Sequence, residues 1–72
     1  MSTNTKHRLA LRIRELRKKY GYTQEKLAEL ADIDYKHIQL LEGKHPSNTR
    51  IDTLEKLAKA FKMSLSEFLN IE

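Results

Sequence analysis

Gln24 to Gly43 reads QEKLAELADIDYKHIQLLEG, and this stretch decides the fold. Leu27, Ala28, Leu30 and Ala31 recur at helical spacing until Asp32 interrupts them after two turns. Asp34 then supplies an N-cap for a second short helix, Tyr35 to Glu42, with Ile38 and Leu41 facing inward. Gly43 ends it. Ala28 falls where the two helices approach closest, so a larger side chain there would push them apart, and Ile33 plugs the angle between them. Two short helices joined by about three residues, with small residues in the junction, are a helix-turn-helix unit, and its bounds here are 24–43.

The flanks continue the same pattern. Upstream, Leu9, Ile13, Leu16 and Tyr20 form one stripe of one helix, and Gly21 stops it. Thr23 is the N-cap of the helix that follows. Met1 to Thr5 read as a disordered tail. Downstream, GKHPSNTR (43–50) is a polar loop holding the only proline, and Thr49 with Asp52 resembles a shortened capping box. Ile51, Leu54, Leu57, Ala58 and Phe61 make the next stripe. Ser64 with Glu67 is a full capping box opening a last short helix with Leu65, Phe68 and Leu69. No stretch alternates like a strand, and no repeats, linkers or low-complexity tracts stand out. The expectation is an all-α, compact five-helix domain spanning 1–72.

Composition narrows the function classes. The chain has 72 residues and no cysteine, which excludes disulfides, thiolate zinc sites and cysteine nucleophiles. Two glycines cannot build a phosphate-cradling loop of the usual kinds. No apolar run approaches the ~18 residues of a membrane span, and the N-terminus lacks the apolar stretch of a signal peptide. A soluble, cytoplasmic protein is expected. His7, His37 and His45 lack metal-ligand spacing, and no residue set suggests catalysis, so neither an enzyme nor a metal or other cofactor is expected. The formal net charge is +4, concentrated in residues 1–22, where seven basic residues face one acidic residue. Such a balance points toward a polyanion, chiefly nucleic acid. Arg8, Arg12, Arg14, Lys18 and Lys19 spread around the first helix and read mostly as solvated charge.

Two charges fall on inner faces. At ~100° per residue, Arg17 lies within the stripe of Ile13 and Tyr20, and Glu42 lies beside Ile38. Either they pair across the core, or Arg17 packs its stem and extends its head to water. The wheel favours the pair. The opposite arc of the third helix holds Lys36, Gln39 and Leu40, flanked by Tyr35 and His37.

The ordered set Thr23-Gln24, Leu27-Ala28, Ile33, Ile38, Leu41-Glu42 and Leu57-Ala58 resembles the lambda- and Cro-type (xenobiotic-response-element-like) helix-turn-helix regulators. The likeness extends from Leu9 to Leu69 and includes IDTLEKLAKAF and MSLSEFL. Asp32 replaces the usual turn glycine, and Asn48-Thr49-Arg50 replaces the usual proline-serine start of the loop. The resemblance implies double-stranded DNA as partner, with the third helix in the major groove and an Arg17–Glu42 pair. Lys36 would then donate to guanine, Gln39 pair with adenine and Leu40 meet a thymine methyl. Tyr35 would stack, donate to a base edge or bond phosphate. Gln24 at the start of the second helix would bind phosphate, as the family's glutamine does. Thr23, His37, Lys44, Asn48 and Arg50 are further phosphate candidates.

One such helix covers few base pairs, so a homodimer on a two-fold symmetric operator is expected. Leu65, Phe68, Leu69 and Ile71 crowd four apolar side chains into seven residues, enough to supply the contact; the bland alternative is that all four cap the core. Similar short proteins act as phage or mobile-element repressors, restriction–modification controllers and antitoxins. The competing class is a protein-interaction module, antitoxin-like, that keeps the scaffold without reading DNA. Nothing suggests a small-molecule ligand or membrane partner.

Overall fold

A computed structural model describes residues 5–43 and 49–70, with side chains from His7 onward. The described helices are α1 (Thr5–Tyr20), α2 (Gln24–Ala31), α3 (Tyr35–Glu42), α4 (Ile51–Ala60) and α5 (Leu65–Phe68). Thr5, expected in the tail, belongs to α1; Met1 to Asn4 lie outside the described residues.

Three junctions are built alike. Each α-helix ends on a residue with positive φ: Gly21 at 72°, Asp32 at 56° and Lys62 at 57°. The next residue sends its N–H back to the last turn: Tyr22 to Arg17 O at 2.9 Å, Ile33 to Ala28 O at 2.9 Å and Met63 to Ala58 O at 3.0 Å. This is the Schellman closure, which satisfies a carbonyl the helix end would otherwise orphan. Tyr22, Ile33 and Met63 each pack half-buried on the core. The third residue caps the following helix: Thr23 accepts from Lys26 N, Asp34 from Lys36 N and Ser64 from Glu67 N. At Ser64 the box is complete, with Ser64 N donating to Glu67 Oε1 at 2.9 Å.

The start of α4 differs from the expected Thr49–Asp52 box. Arg50 occupies the cap position in extended backbone and makes no side-chain cap bond. The helix therefore begins one residue later than a Thr49 cap requires, and Asp52 Oδ1 instead accepts from Thr53 N at 2.9 Å. Ile51 is also not on the inner stripe; it is 62% exposed. At ~100° per residue the buried arc of α4 runs from Ala60 through Phe61 to Ala58, and Ile51 falls just past its edge.

Ile13, Leu27, Ile38, Leu41, Leu57, Phe61 and Phe68 are the large side chains with almost no exposure, drawn from all five helices and the α4 end. Tyr20, Tyr22, Phe61 and Phe68 pack ring to ring, at centroid distances of 5.5–6.1 Å, with Tyr22–Phe61 and Phe61–Phe68 stacked and Tyr20 tilted against Tyr22 and Phe61. Tyr20 keeps an exposed edge while its hydroxyl donates to Phe61 O at 2.8 Å.

Candidate nucleic-acid interface

The orientation of α3 follows from what it buries. Ile38, Leu41 and Glu42 are buried, so the opposite arc must face solvent. Lys36, Gln39 and Leu40 lie on that arc and Tyr35 at its flank, and all four are exposed. Leu40, at 53% exposure, is an apolar side chain with no core role. His37 is half-buried at the margin. Gln39 Nε2 donates to Tyr35 OH at 3.2 Å, one helical turn away.

Glu42 anchors the back of the helix. Arg17 Nε donates to its Oε2 at 2.9 Å and Arg17 Nη2 to its Oε1 at 3.0 Å. This is the bidentate fork that guanidinium and carboxylate geometry favours. Arg17 Nη1 also donates to Tyr22 O at 3.1 Å. Of the two arrangements the wheel allows, the structure has the favoured one, with Arg17 paired to Glu42 across the core. Gln24 Nε2 joins the same carboxylate, donating to Oε1 at 3.2 Å. The amide at the head of α2 is thus turned toward the ion pair, with one of its two hydrogens engaged there.

The remaining expected phosphate groups are scattered in status. Thr23 is exposed and its oxygen caps α2, accepting from Lys26 N at 3.0 Å. Arg50 is exposed, with Nε 3.9 Å from Asp52 Oδ1, so its charge is partly matched. Lys44 and Asn48 lie outside the described residues, as does Ile71 of the expected dimer surface.

Phe68 corrects the expected dimer surface. It is fully buried, stacked on Phe61 with centroids 6.1 Å apart, and so cannot present its ring to a second copy. The four-residue α5 has one inward position, and the largest apolar side chain takes it. Leu65 packs half-buried on the core, while Leu69 is 38% exposed.

Sequence reasoning missed the work of the α1 arginines. Arg12 Nε donates to Phe68 O at 3.0 Å and its Nη2 to Glu67 O at 2.8 Å. Arg14 Nη2 donates to Glu42 O at 2.9 Å. Each places a cation against the C-terminal carbonyls of another helix, where the helix dipole favours it. No local signal could show this, because the partners are 28 to 56 residues away. Among the described residues no group of His, Cys, Asp or Glu is arranged to hold a metal. No described helix is long and apolar enough to cross a membrane.

A family model described as "Helix-turn-helix", of the Cro/C1 (xenobiotic-response-element) type, matches residues 13–68. The chain belongs to this helix-turn-helix family. Among solved structures it is similar to the restriction-modification controller protein C.AhdI from Aeromonas hydrophila, with 30% identity, 88% of this chain and 94% of that chain covered and a TM-score of 0.80. It is similar to a hypothetical transcription factor, NHTF, from Neisseria, at 28% identity, covering 89% and 71% of the two chains with a TM-score of 0.80. It also resembles the controller protein C.Esp1396I bound to a 25 base pair operator site, at 27% identity, covering 94% and 92%, with a TM-score of 0.81. No curated protein sequence matches the chain. The family match, which runs to residue 68, includes both ends of the Arg17–Glu42 fork and the buried Phe68.

Proposed function

We propose that the chain is a sequence-specific, double-stranded-DNA-binding transcriptional regulator of the restriction–modification-controller or small-repressor kind. One observation carries the reading. The eight-residue α3 is locked by three buried residues and turns Lys36 and Gln39 outward, both able to match base edges in the major groove. The similarity to a controller protein bound to its operator supports the same reading. Gln24, Thr23 and Arg50 are the described phosphate candidates, with His37 at the margin; Lys44 and Asn48 complete the set.

Selection of bound sequences from a random DNA pool tests it. The selected site should be two-fold symmetric, and log K should fall with log salt by about 0.9 for each phosphate neutralised. A preference under about tenfold over random DNA would overturn the reading, since specific binding typically exceeds that by orders of magnitude. Lys36→Ala and Gln39→Ala should each lose about 1–3 kcal/mol at particular base pairs. Gln24→Ala should weaken all sites alike.

A homodimer completes the proposal, with Leu69 as its described apolar contact and Leu65 beside it. Leu65 also lines, with Ala58 and Met63, a groove of about 430 Å³ rimmed by Asp52, Glu55, Lys56 and Lys59. A rim carrying both signs suits a copy of itself. Leu69→Glu should abolish cooperative occupancy of the full operator and leave the helical circular dichroism unchanged. Monomers in sedimentation at high concentration, with one-to-one DNA binding, would exclude the dimer. Exposed Leu40 and Tyr35 favour the second reading, a protein partner on the α3 arc, which failure of DNA selection would promote.

A further inference from the structure

We infer that Tyr35 is a specificity-determining positioning residue: its hydroxyl fixes the amide of Gln39 in the orientation that reads adenine. The inference rests on the DNA-binding reading above. Gln39 on the outward arc of α3 and Tyr35 at its flank stand four residues apart, both exposed, with Gln39 Nε2 donating to Tyr35 OH at 3.2 Å. Neither side chain has a core role; the inward face of α3 is filled by Ile38, Leu41 and Glu42. The contact is therefore not a by-product of packing.

A primary amide has two unlike ends of nearly the same shape, an acceptor oxygen and a donor NH2. An exposed glutamine can turn either end toward a base. Adenine presents an acceptor at N7 and a donor at N6, so it is matched only when one amide N–H and the amide oxygen face it together. The bond to Tyr35 OH takes one hydrogen of the Gln39 NH2 and turns that nitrogen toward the helix start. One N–H and Oε1 remain, which is the adenine-matching pair. With the phenol oxygen removed, the amide turns over freely and can donate to guanine or accept from cytosine instead. Tyr35 thus acts through Gln39, and its phenol keeps its own hydrogen for another acceptor.

The test measures relative affinity for all four base pairs at every position of the selected site, for wild type, Tyr35→Phe, Gln39→Ala and the double variant. The phenylalanine variant keeps the ring and loses only the hydroxyl. Both side chains are exposed, and unchanged circular dichroism confirms the fold. Gln39→Ala should reduce the adenine preference at one base pair by about 5- to 150-fold. Tyr35→Phe should reduce it at that same base pair by about 2- to 10-fold, the range of one neutral hydrogen bond. In the double variant, loss of the hydroxyl should add nothing there. Three results overturn the inference: Tyr35→Phe leaves that base pair unchanged, it alters a different base pair, or the two losses add. A Gln39→Ala variant without a position-specific loss overturns it too, while wild-type selectivity leaves the DNA-binding reading intact. A wild type with no sequence preference instead overturns the DNA-binding reading itself and this inference with it.

Discussion

The α2–α3 and α4–α5 junctions are nearly the same object. Leu27-Ala28, Asp32-Ile33-Asp34 and Ile38 recur in register as Leu57-Ala58, Lys62-Met63-Ser64 and Phe68. Both turns place a non-glycine residue at positive φ, and both return an N–H to an alanine carbonyl. Both then cap a helix that fully buries a large side chain four residues past the cap, Ile38 or Phe68. No repeat stands out along the chain because only the junction repeats. The difference lies beyond the turn. α3 runs eight residues and holds an exposed polar arc, whereas α5 runs four and stops. Local turn chemistry therefore builds the angle between helices, and helix length with its outward side chains decides which of the two can read a partner.

The largest expected effect removes the shared anchor. Phe68→Ala should cost about 3–5 kcal/mol and Ile38→Ala about 2–5 kcal/mol. A core of this size rarely supplies more than about 3–5 kcal/mol, so Phe68→Ala should abolish the cooperative urea transition. A Phe68→Ala protein that still unfolds cooperatively near the wild-type midpoint would show that α5 is an appendage and the two junctions are not equivalent.

Among the described residues the buried ion pair lies at α3, and its loss should separate the two regions next. Arg17→Met leaves the carboxylate of Glu42, a residue 4% exposed, without its bidentate partner and with Gln24 as its remaining described hydrogen bond. Stranding a buried charge costs about 3–5 kcal/mol. Glu42→Gln should cost less, because Arg17 keeps a partly exposed path to water and its bond to Tyr22 O. Equal losses in urea denaturation would contradict this asymmetry.

The inner faces of the helices were legible because their determinants are local. Apolar periodicity, the Thr23, Asp34 and Ser64 caps and the Gly21 stop each act within one turn of chain. The wheel also put Arg17 opposite Glu42, since both fell where only apolar neighbours were expected. The C-terminal carbonyls bonded by Arg12 and Arg14 were not legible, because a long side chain reaches partners that no spacing rule indexes. Phe68 was misassigned for a related reason. Four apolar residues in one short segment do not say which points inward until α5 is docked against Phe61. The outward arc of α3, where the candidate site lies, was legible as a remainder, being whatever the core did not use.

Smaller effects come from the positive-φ residues. Holding an ordinary L-residue there costs about 1–2 kcal/mol, and aspartate suffers less than lysine because its short side chain bonds locally. Lys62→Gly should therefore stabilise by up to about 1 kcal/mol, reduced by the entropy glycine loses on folding. Asp32→Gly should gain less. Gly21→Ala should lose about 1 kcal/mol. A Cβ at Gly21 would meet nothing within 4 Å, so that loss reads backbone strain alone. Thermal unfolding of the three variants ranks the junctions directly, and an Asp32→Gly gain larger than that of Lys62→Gly would invert the ranking.

The smallest effect is the pH dependence of the one complete capping box among the described residues. The backbone N–H of Ser64 first, and its hydroxyl second, hold the Glu67 carboxyl below the ordinary glutamate range. A carboxylate depressed in the folded state stabilises it at pH above the unfolded value. That contribution fades as acid protonates the group, from about pH 4.3 downward. Asp34 caps α3 without a reciprocal partner, so only the α4–α5 junction carries this box. Glu67→Gln keeps an acceptor for Ser64 N while removing the titration. Its stability should therefore fall less steeply on acidification than that of wild type, with the two curves converging toward low pH. Parallel curves through that window would mean that Glu67 is no better bonded in the folded chain than in the unfolded one, and that Ser64 caps α5 alone.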